Sequence, residues 1–231
     1  MSVSALSPSS QNYLKAIWGL QEWSDAPVTP SALAAKAGVA LSTVSEAVRK
    51  LTERGLLEHA PYGSVTLTSE GRAYAAAMVR RHRLIESFLV QVLNYRWDQV
   101  HEEAETLEHA VSDLMVERID EYLGRPSRDP HGDPIPGSDG RVMVREAVPL
   151  SRLGSHERGT VERVSDEDPG LLRFFAERGI GVGSVLEVRP GSPYSDSVEV
   201  TVDGLADAVA MGAAATSAVF VSVSATGLVS R

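Results

Sequence analysis

Six side chains in the middle of this 231-residue sequence have the types and spacing of metal ligands. His101, Glu105 and Glu108 stand at i, i+4 and i+7, on one face of a helix, and His109 follows Glu105 by four. Upstream, His82 and Glu86 repeat that interval. Imidazole nitrogens and carboxylate oxygens bind divalent first-row cations, and helical bundles present such ligands at i+3 and i+4. The competing interpretation is a solvated acidic face with scattered histidines. It accounts for the acids, but not for three of the six histidines each lying four residues from a glutamate. The chain has no cysteine, which excludes thiolate sites and disulfides.

The elements that must position these groups are helices. Residues 97–123 have a helical period, with Val100, Ala104, Leu107, Val111, Leu114, Arg118 and Tyr122 forming one stripe. A long helix is expected from Thr68-Ser69 to about Leu93, carrying His82 and Glu86. Nearer the N-terminus, Tyr13, Ile17 and Leu20 give Asn12–Glu22 one apolar face. Thr29-Pro30 is an N-cap followed by proline at the first helical position, and Gly38 ends that short helix. Ser42 is expected to cap the next, which runs to about Arg54 with Val44, Val48 and Leu51 inward. Two short helices around a glycine turn form a helix-turn-helix. Leu56–His59 and Val65–Thr68 read as strands around the turn Ala60-Pro61-Tyr62-Gly63, a wing directly after the second helix.

That arrangement makes double-stranded DNA the expected partner. Ser42, Thr43, Ser45 and Glu46 face a major groove, Arg49 and Lys50 suit phosphate oxygens, and Tyr62 at the wing tip lies along the backbone. The net charge of −9 argues the other way until its distribution is considered. Residues 36–83 carry eight basic side chains against four acidic, whereas residues 98–121 carry nine acids against Arg118 alone. The basic part is suited to phosphates and the acidic part to cations. The N-terminus lacks a signal-peptide pattern, and no apolar run reaches the roughly 20 residues of a membrane span, so a cytoplasmic protein without a membrane partner is expected.

Prolines 126, 130, 134 and 136 mark an irregular segment. Beyond it, Thr160–Val164, Ser184–Arg189, Ser197–Val202 and Ala218–Val223 read as short strands, and Leu171–Arg178 as a helix.

Together the stretches QNYLKAIWGL, the helix-turn-helix and wing, MVRRHRLIESFL, VHEEAETLEHAVSD and DPHGDPIPG resemble the diphtheria toxin repressor family of metal-dependent transcriptional regulators, over nearly the whole length. The resemblance implies an α+β fold. It comprises a winged-helix DNA-binding domain (1–73), a helical metal-binding and dimerisation domain with linker (74–147), and an SH3-like small β-barrel (148–231). It implies a primary metal site at Asn12, Glu105, Glu108 and His109, and a second at His82, Glu86 and His101. A further ligand from the C-terminal domain would be Asp168 or, less favoured, His131 with Asp129 beside it. The iron-responsive branch has cysteine at the position of Glu105 and methionine at that of Asn12; carboxylate and amide oxygens are harder and suit Mn²⁺. The expected cofactor is therefore Mn²⁺, with Fe²⁺ and other divalent ions as weaker claimants. Lys15 stands where some members carry an acid, which argues against a second cation bridged there.

The implied protein is no enzyme but a homodimeric repressor of metal-homeostasis genes on a roughly palindromic operator. An iron-dependent regulator of the same family is the nearest alternative. A carboxylate-histidine metalloenzyme would need ligands on four helices where one pair is visible. A metal-independent winged-helix regulator would bind DNA in the presence of chelator.

Overall fold

The computed structural model describes residues 3–24, 26–59, 63–143 and 146–223. In chain order the elements are α1 (Pro8–Glu22), α2 (Pro30–Ala37), α3 (Leu41–Glu53), β1 (Leu57–His59), β2 (Val65–Leu67), α4 (Ser69–Leu93), α5 (Val100–Leu107), α6 (Asp113–Tyr122), β3 (Val148–Pro149), β4 (Arg158–Val164), α7 (Pro169–Ala176), β5 (Val185–Pro190), β6 (Val198–Val202), β7 (Ala208–Met211), α8 (Ala213–Ala218) and β8 (Val219–Val223). No described helix is long and apolar enough to cross a membrane. Two compact units result: Met1–Ile85 with Glu105–Arg125 and Ile135–Val142, and Glu86–Ala104 with Pro126–Pro134 and Met143–Arg231.

In the first unit, local signals set the helix ends. Thr29 Oγ1 accepts from Ala32 N at 3.1 Å to start α2, and Gly38, at φ 64°, ends it in the left-handed conformation. Helix α3 begins two residues before the expected start: Ala40, not Ser42, is its N-cap, without a side-chain bond, so Ser42 lies inside the first turn. Val44, Val48 and Leu51 of α3 join Leu14, Ile17, Leu33 and Val65 in one core. Strands β1 and β2 pair antiparallel, Leu57 opposite Leu67 and His59 opposite Val65. Tyr62, expected at the tip of this wing, lies outside the described residues.

The helix expected over 97–123 is instead two helices, α5 and α6, broken across residues 108–112. Two interactions, one local and one long-range, account for the break. Ser112 caps α6 by accepting from Met115 N at 3.2 Å. The buried Arg81 takes the carbonyls of Glu108 (3.1 Å) and Val111 (3.0 Å) through its Nη1, and its Nη2 pairs with Asp113. Carbonyls held this way are withdrawn from a continuous helical ladder. The break rotates the second half of the expected stripe: Val116 and Ile119 are buried, whereas Leu114 and Tyr122 are 66% and 71% exposed.

In the second unit, six antiparallel strands are ordered β3-β8-β4-β5-β6-β7, with α7 and α8 accompanying them. Leu186, Val188, Val200, Val219 and Val221 alternate into a core with Leu172 and Phe175 of α7. The four strands expected from sequence are present; β3, β7 and α8 are additions, each too short to show a period.

Candidate functional site

In the first unit, α1 and α4 face the α5–α6 junction. Lys15 on α1 extends its ammonium between two carboxylates, 2.6 Å from Glu105 Oε1 and 2.5 Å from Glu108 Oε1, and stands 3.5 Å from His82 Nδ1. His82 Nδ1 lies 2.6 Å from Glu108 Oε2. Glu108 is fully buried; burial raises its carboxyl, but the His82 hydrogen bond and the charges of His82 and Lys15 outweigh that and hold it below the usual carboxylate range. Ligand atoms of His82, Glu105 and Glu108 all lie within 4.8 Å of one another.

His109 stands beside this group, next to Glu108. Its Nδ1 lies 2.7 Å from Gln11 Oε1. The Gln11 amide is itself oriented, since its Nε2 donates to Val3 O (2.8 Å) and Leu6 O (3.0 Å). Gln11 Oε1 can only accept, so Nδ1 carries the proton and Nε2 of the neutral ring carries the lone pair. Nε2 is buried with no hydrogen-bond partner, 3.6 Å from Glu108 Oε1. An oriented imidazole lone pair beside two carboxylates that already hold a cationic ammonium fits a divalent cation, and a ligating histidine whose other nitrogen is fixed by an oxygen is the usual arrangement at metals.

The α1 contribution differs from the expected one. Asn12 is exposed and is not brought to the cluster; Gln11 and Lys15, four apart on the buried side of α1, are. Helix α1 starts at Pro8, and Asn12 is turned about 100° from Gln11 by the helical period.

The second unit gathers Glu86, His101 and Asp166. His101 Nδ1 lies 3.0 Å from Asp166 Oδ2 and 3.6 Å from Glu86 Oε1, and these carboxylates, Asp166 foremost, raise the imidazole to about 10. His82 precedes Glu86 by one turn of α4. Asp168, the expected C-terminal ligand, is instead the N-cap of α7: its Oδ1 accepts from Gly170 N at 2.7 Å and Leu171 N at 3.3 Å. An acid just before Pro169 is a capping signal that sequence alone should have favoured. His131 is fully buried and belongs to a different group, with Glu86 and Asp129.

The His101 shift has a sign that can be measured. In the metal-free chain its ion pair stabilises below the ordinary histidine range and is lost as pH climbs towards about 10. A divalent cation held here would have to displace that proton, so its affinity at this cluster would rise about tenfold per unit between about pH 6 and 8. Calorimetric titration of a Glu105→Gln chain in buffers of different ionisation enthalpy checks this; a flat profile with no proton release contradicts it.

On α3, Ser42, Thr43, Ser45, Glu46, Arg49 and Lys50 are all exposed, as expected of a DNA face. Their side chains are partly engaged. Ser45 Oγ donates to Leu41 O at 2.9 Å. Arg49 grips Glu46 through Nε (3.0 Å) and Nη2 (2.8 Å) and also pairs with Glu53, while Lys50 lies 3.2 Å from Glu46. Arg49 and Lys50 hold the Glu46 carboxyl down at about 2. The basic surplus of residues 36–83 is therefore smaller at the surface than it is in the sequence. Arg80 pairs with Asp120 at 2.8 Å, Arg81 closes the α5–α6 junction, and Arg83 binds Glu22 at 2.9 and 2.6 Å, all three as structural arginines.

Three family models match the chain: iron dependent repressor, N-terminal DNA binding domain (residues 5–65); iron dependent repressor, metal binding and dimerisation domain (68–137); and the FeoA domain (148–223). The iron-dependent repressor IdeR of Mycobacterium tuberculosis is 36% identical over 206 residues, covering 79% of this chain and 89% of that protein. The diphtheria toxin repressor of Corynebacterium glutamicum is 35% identical over 216 residues, covering 87% and 94%. Among solved structures, a manganese-dependent transcriptional repressor in complex with manganese is similar at 51% identity and a TM-score of 0.87, covering 92% of this chain and 98% of that one.

Proposed function

Since this chain belongs to the diphtheria toxin repressor family of metal-dependent transcriptional repressors, we propose that its activating ion is Mn²⁺ and that the ion controls binding to operator DNA. The observation that carries this is the Glu105, Glu108 and His109 group, with its buried imidazole lone pair and its two carboxylates already gathered around a cation. Carboxylate and imidazole without any thiolate is a hard donor set and suits Mn²⁺ better than a softer ion. The similar solved repressor is named for manganese. Glu86, His101 and Asp166, gathered within the second unit, are the proposed second site.

Gln11 and Lys15 make the junction sensitive to a ligand, because they tie α1, and with it the core of the winged helix, to Glu105, Glu108 and His109. A cation entering among those carboxylates competes with Lys15 and repositions α1. That gives metal a different affinity for two placements of the DNA-reading element, which is the requirement for an effector. The protein acts in the cytoplasm as a homodimer. The exposed apolar side chains Leu114, Met115 and Tyr122 on α6 are available for pairing, and two copies of α3 read half-sites about 34–36 Å apart.

Fluorescence anisotropy of a labelled promoter duplex, at fixed salt, tests the proposal. Binding with Mn²⁺ and none with chelator is expected. Equal binding in both rejects the metal switch, and stronger activation by anaerobic Fe²⁺ than by Mn²⁺ at matched free concentration assigns the chain to iron.

The Glu46 network adds a separate expectation. Glu46→Gln releases Arg49 and Lys50 from their shared partner, so DNA affinity should rise and the slope of log K against log salt should steepen by about 1. An unchanged slope would show that neither cation reaches phosphate.

A further inference from the structure

We propose that Gln11 is a positioning residue for the metal group: the orientation of its amide decides which nitrogen of His109 is open to a cation. The inference rests on the reading of Glu105, Glu108 and His109 as a metal site. Gln11 is 5% exposed, on the buried side of α1. Its Nε2 donates to Val3 O at 2.8 Å and to Leu6 O at 3.0 Å. A carbonyl oxygen can only accept, so both amide hydrogens are spent there and the amide oxygen is left to face His109. That oxygen, 2.7 Å from His109 Nδ1, places the proton of the neutral ring on Nδ1. The open lone pair is then on the buried Nε2, the nitrogen 3.6 Å from Glu108 Oε1.

The opposite orientation closes the site. Turned over by half a rotation, the amide would set its oxygen against two carbonyl oxygens and direct an N–H at Nδ1. Nδ1 would then have to accept, the ring proton would sit on Nε2, and Nε2 would offer an N–H to any cation beside Glu108. The short turn before α1 prevents this. Val3 and Leu6 are 2% and 5% exposed, Leu6 N donates to Val3 O at 3.0 Å, and Leu6 packs into one core with Leu14 and Ile17. Gln11 N donates to Ser7 O at 3.0 Å, so the backbone beneath the side chain is fixed as well. A flip would strip the buried amide of both donor bonds, a penalty that rotation of an exposed amide does not carry. An apolar side chain of the same length would fill this volume without choosing a tautomer, so the role belongs to the amide and not to packing.

The test compares Gln11→Met and Gln11→Glu with wild type in the full chain, with circular dichroism as the check on folding. Nitrogen-15 NMR of the metal-free chain, at a pH where the ring is neutral, reads the His109 tautomer, and calorimetry with Mn²⁺ reads affinity. Wild type should show Nδ1–H. Gln11→Met removes the acceptor, so Nε2–H should appear and Mn²⁺ affinity should fall about 10–100-fold, the usual cost of losing a group that orients a metal-binding histidine. Gln11→Glu restores an oxygen beside Nδ1 and should recover the Nδ1–H tautomer and most of the affinity, although its second oxygen now faces the Val3 and Leu6 carbonyls and should lower the melting temperature. Nε2–H in wild type, an unchanged tautomer or affinity in Gln11→Met, or equal losses in the two variants overturns the proposal. The regulatory reading fails on a different result, DNA binding that is indifferent to metal, and the tautomer and affinity measurements decide the role of Gln11 in either case.

Discussion

Glu108→Gln is expected to abolish the Mn²⁺ response while leaving the fold in place. Glu108 is fully buried and touches both Lys15, at 2.5 Å, and His82, at 2.6 Å. The amide is nearly isosteric and still accepts hydrogen bonds, so the junction survives; Arg81 holds the backbone there through the carbonyls of Glu108 and Val111, independently of the Glu108 side chain. What disappears is the negative charge that draws a divalent cation. Losing a group that only orients a metal ligand costs about 10–100-fold in affinity, and losing a ligand should cost more. The coupling between metal and DNA, of a size typically about 5–150-fold, should vanish with it. Anisotropy titrations with Mn²⁺ and with chelator should coincide for this variant. A Mn²⁺-dependent gain as large as that of wild type would remove Glu108 from the site.

Lys15→Met should act in the opposite direction on metal affinity. The Lys15 ammonium, only 16% exposed, is the cation that Glu105 and Glu108 hold in the chain as it stands. Its removal leaves a buried carboxylate without that partner, a change that costs about 3–5 kcal/mol in a fully buried pair and less here, where Glu105 is 37% exposed. The metal-free variant should therefore melt earlier than wild type. Mn²⁺ no longer competes with an internal charge, so it should bind at least about tenfold more tightly and recover more stability than it adds to wild type, by mass action. Thermal melts with and without Mn²⁺, alongside calorimetry, measure both effects. Unchanged Mn²⁺ affinity would show that Lys15 and the ion do not share a position.

Where sequence and structure part, tertiary contacts are the reason. The helical period over 97–123 is genuine in sequence, but a period cannot register that Arg81, some 30 residues earlier, occupies the carbonyls of Glu108 and Val111. Arg80, Arg81 and Arg83 are indistinguishable by composition from DNA-binding arginines, yet each ends in a carboxylate or carbonyl of its own unit. Asp168 and Asp166 are two residues apart and chemically alike; only the start of α7 makes one a cap and leaves the other beside His101.

By itself the sequence determined the ligand types, the two pairs at helical spacing on α4 and α5, the helix-turn-helix with its hairpin, and the family. All of these rest on local periods, caps and motif residues that act within one or two turns of chain. The tertiary structure decided which face of α1 meets the cluster, placing Gln11 and Lys15 there and Asn12 in solvent. It also decided that His131 of the DPHG turn is buried against Trp97, its Nε2 2.8 Å from the Trp97 carbonyl oxygen. Such choices depend on side chains brought together from distant segments, and on which hydrogen-bond partner claims each nitrogen, information that no local pattern contains.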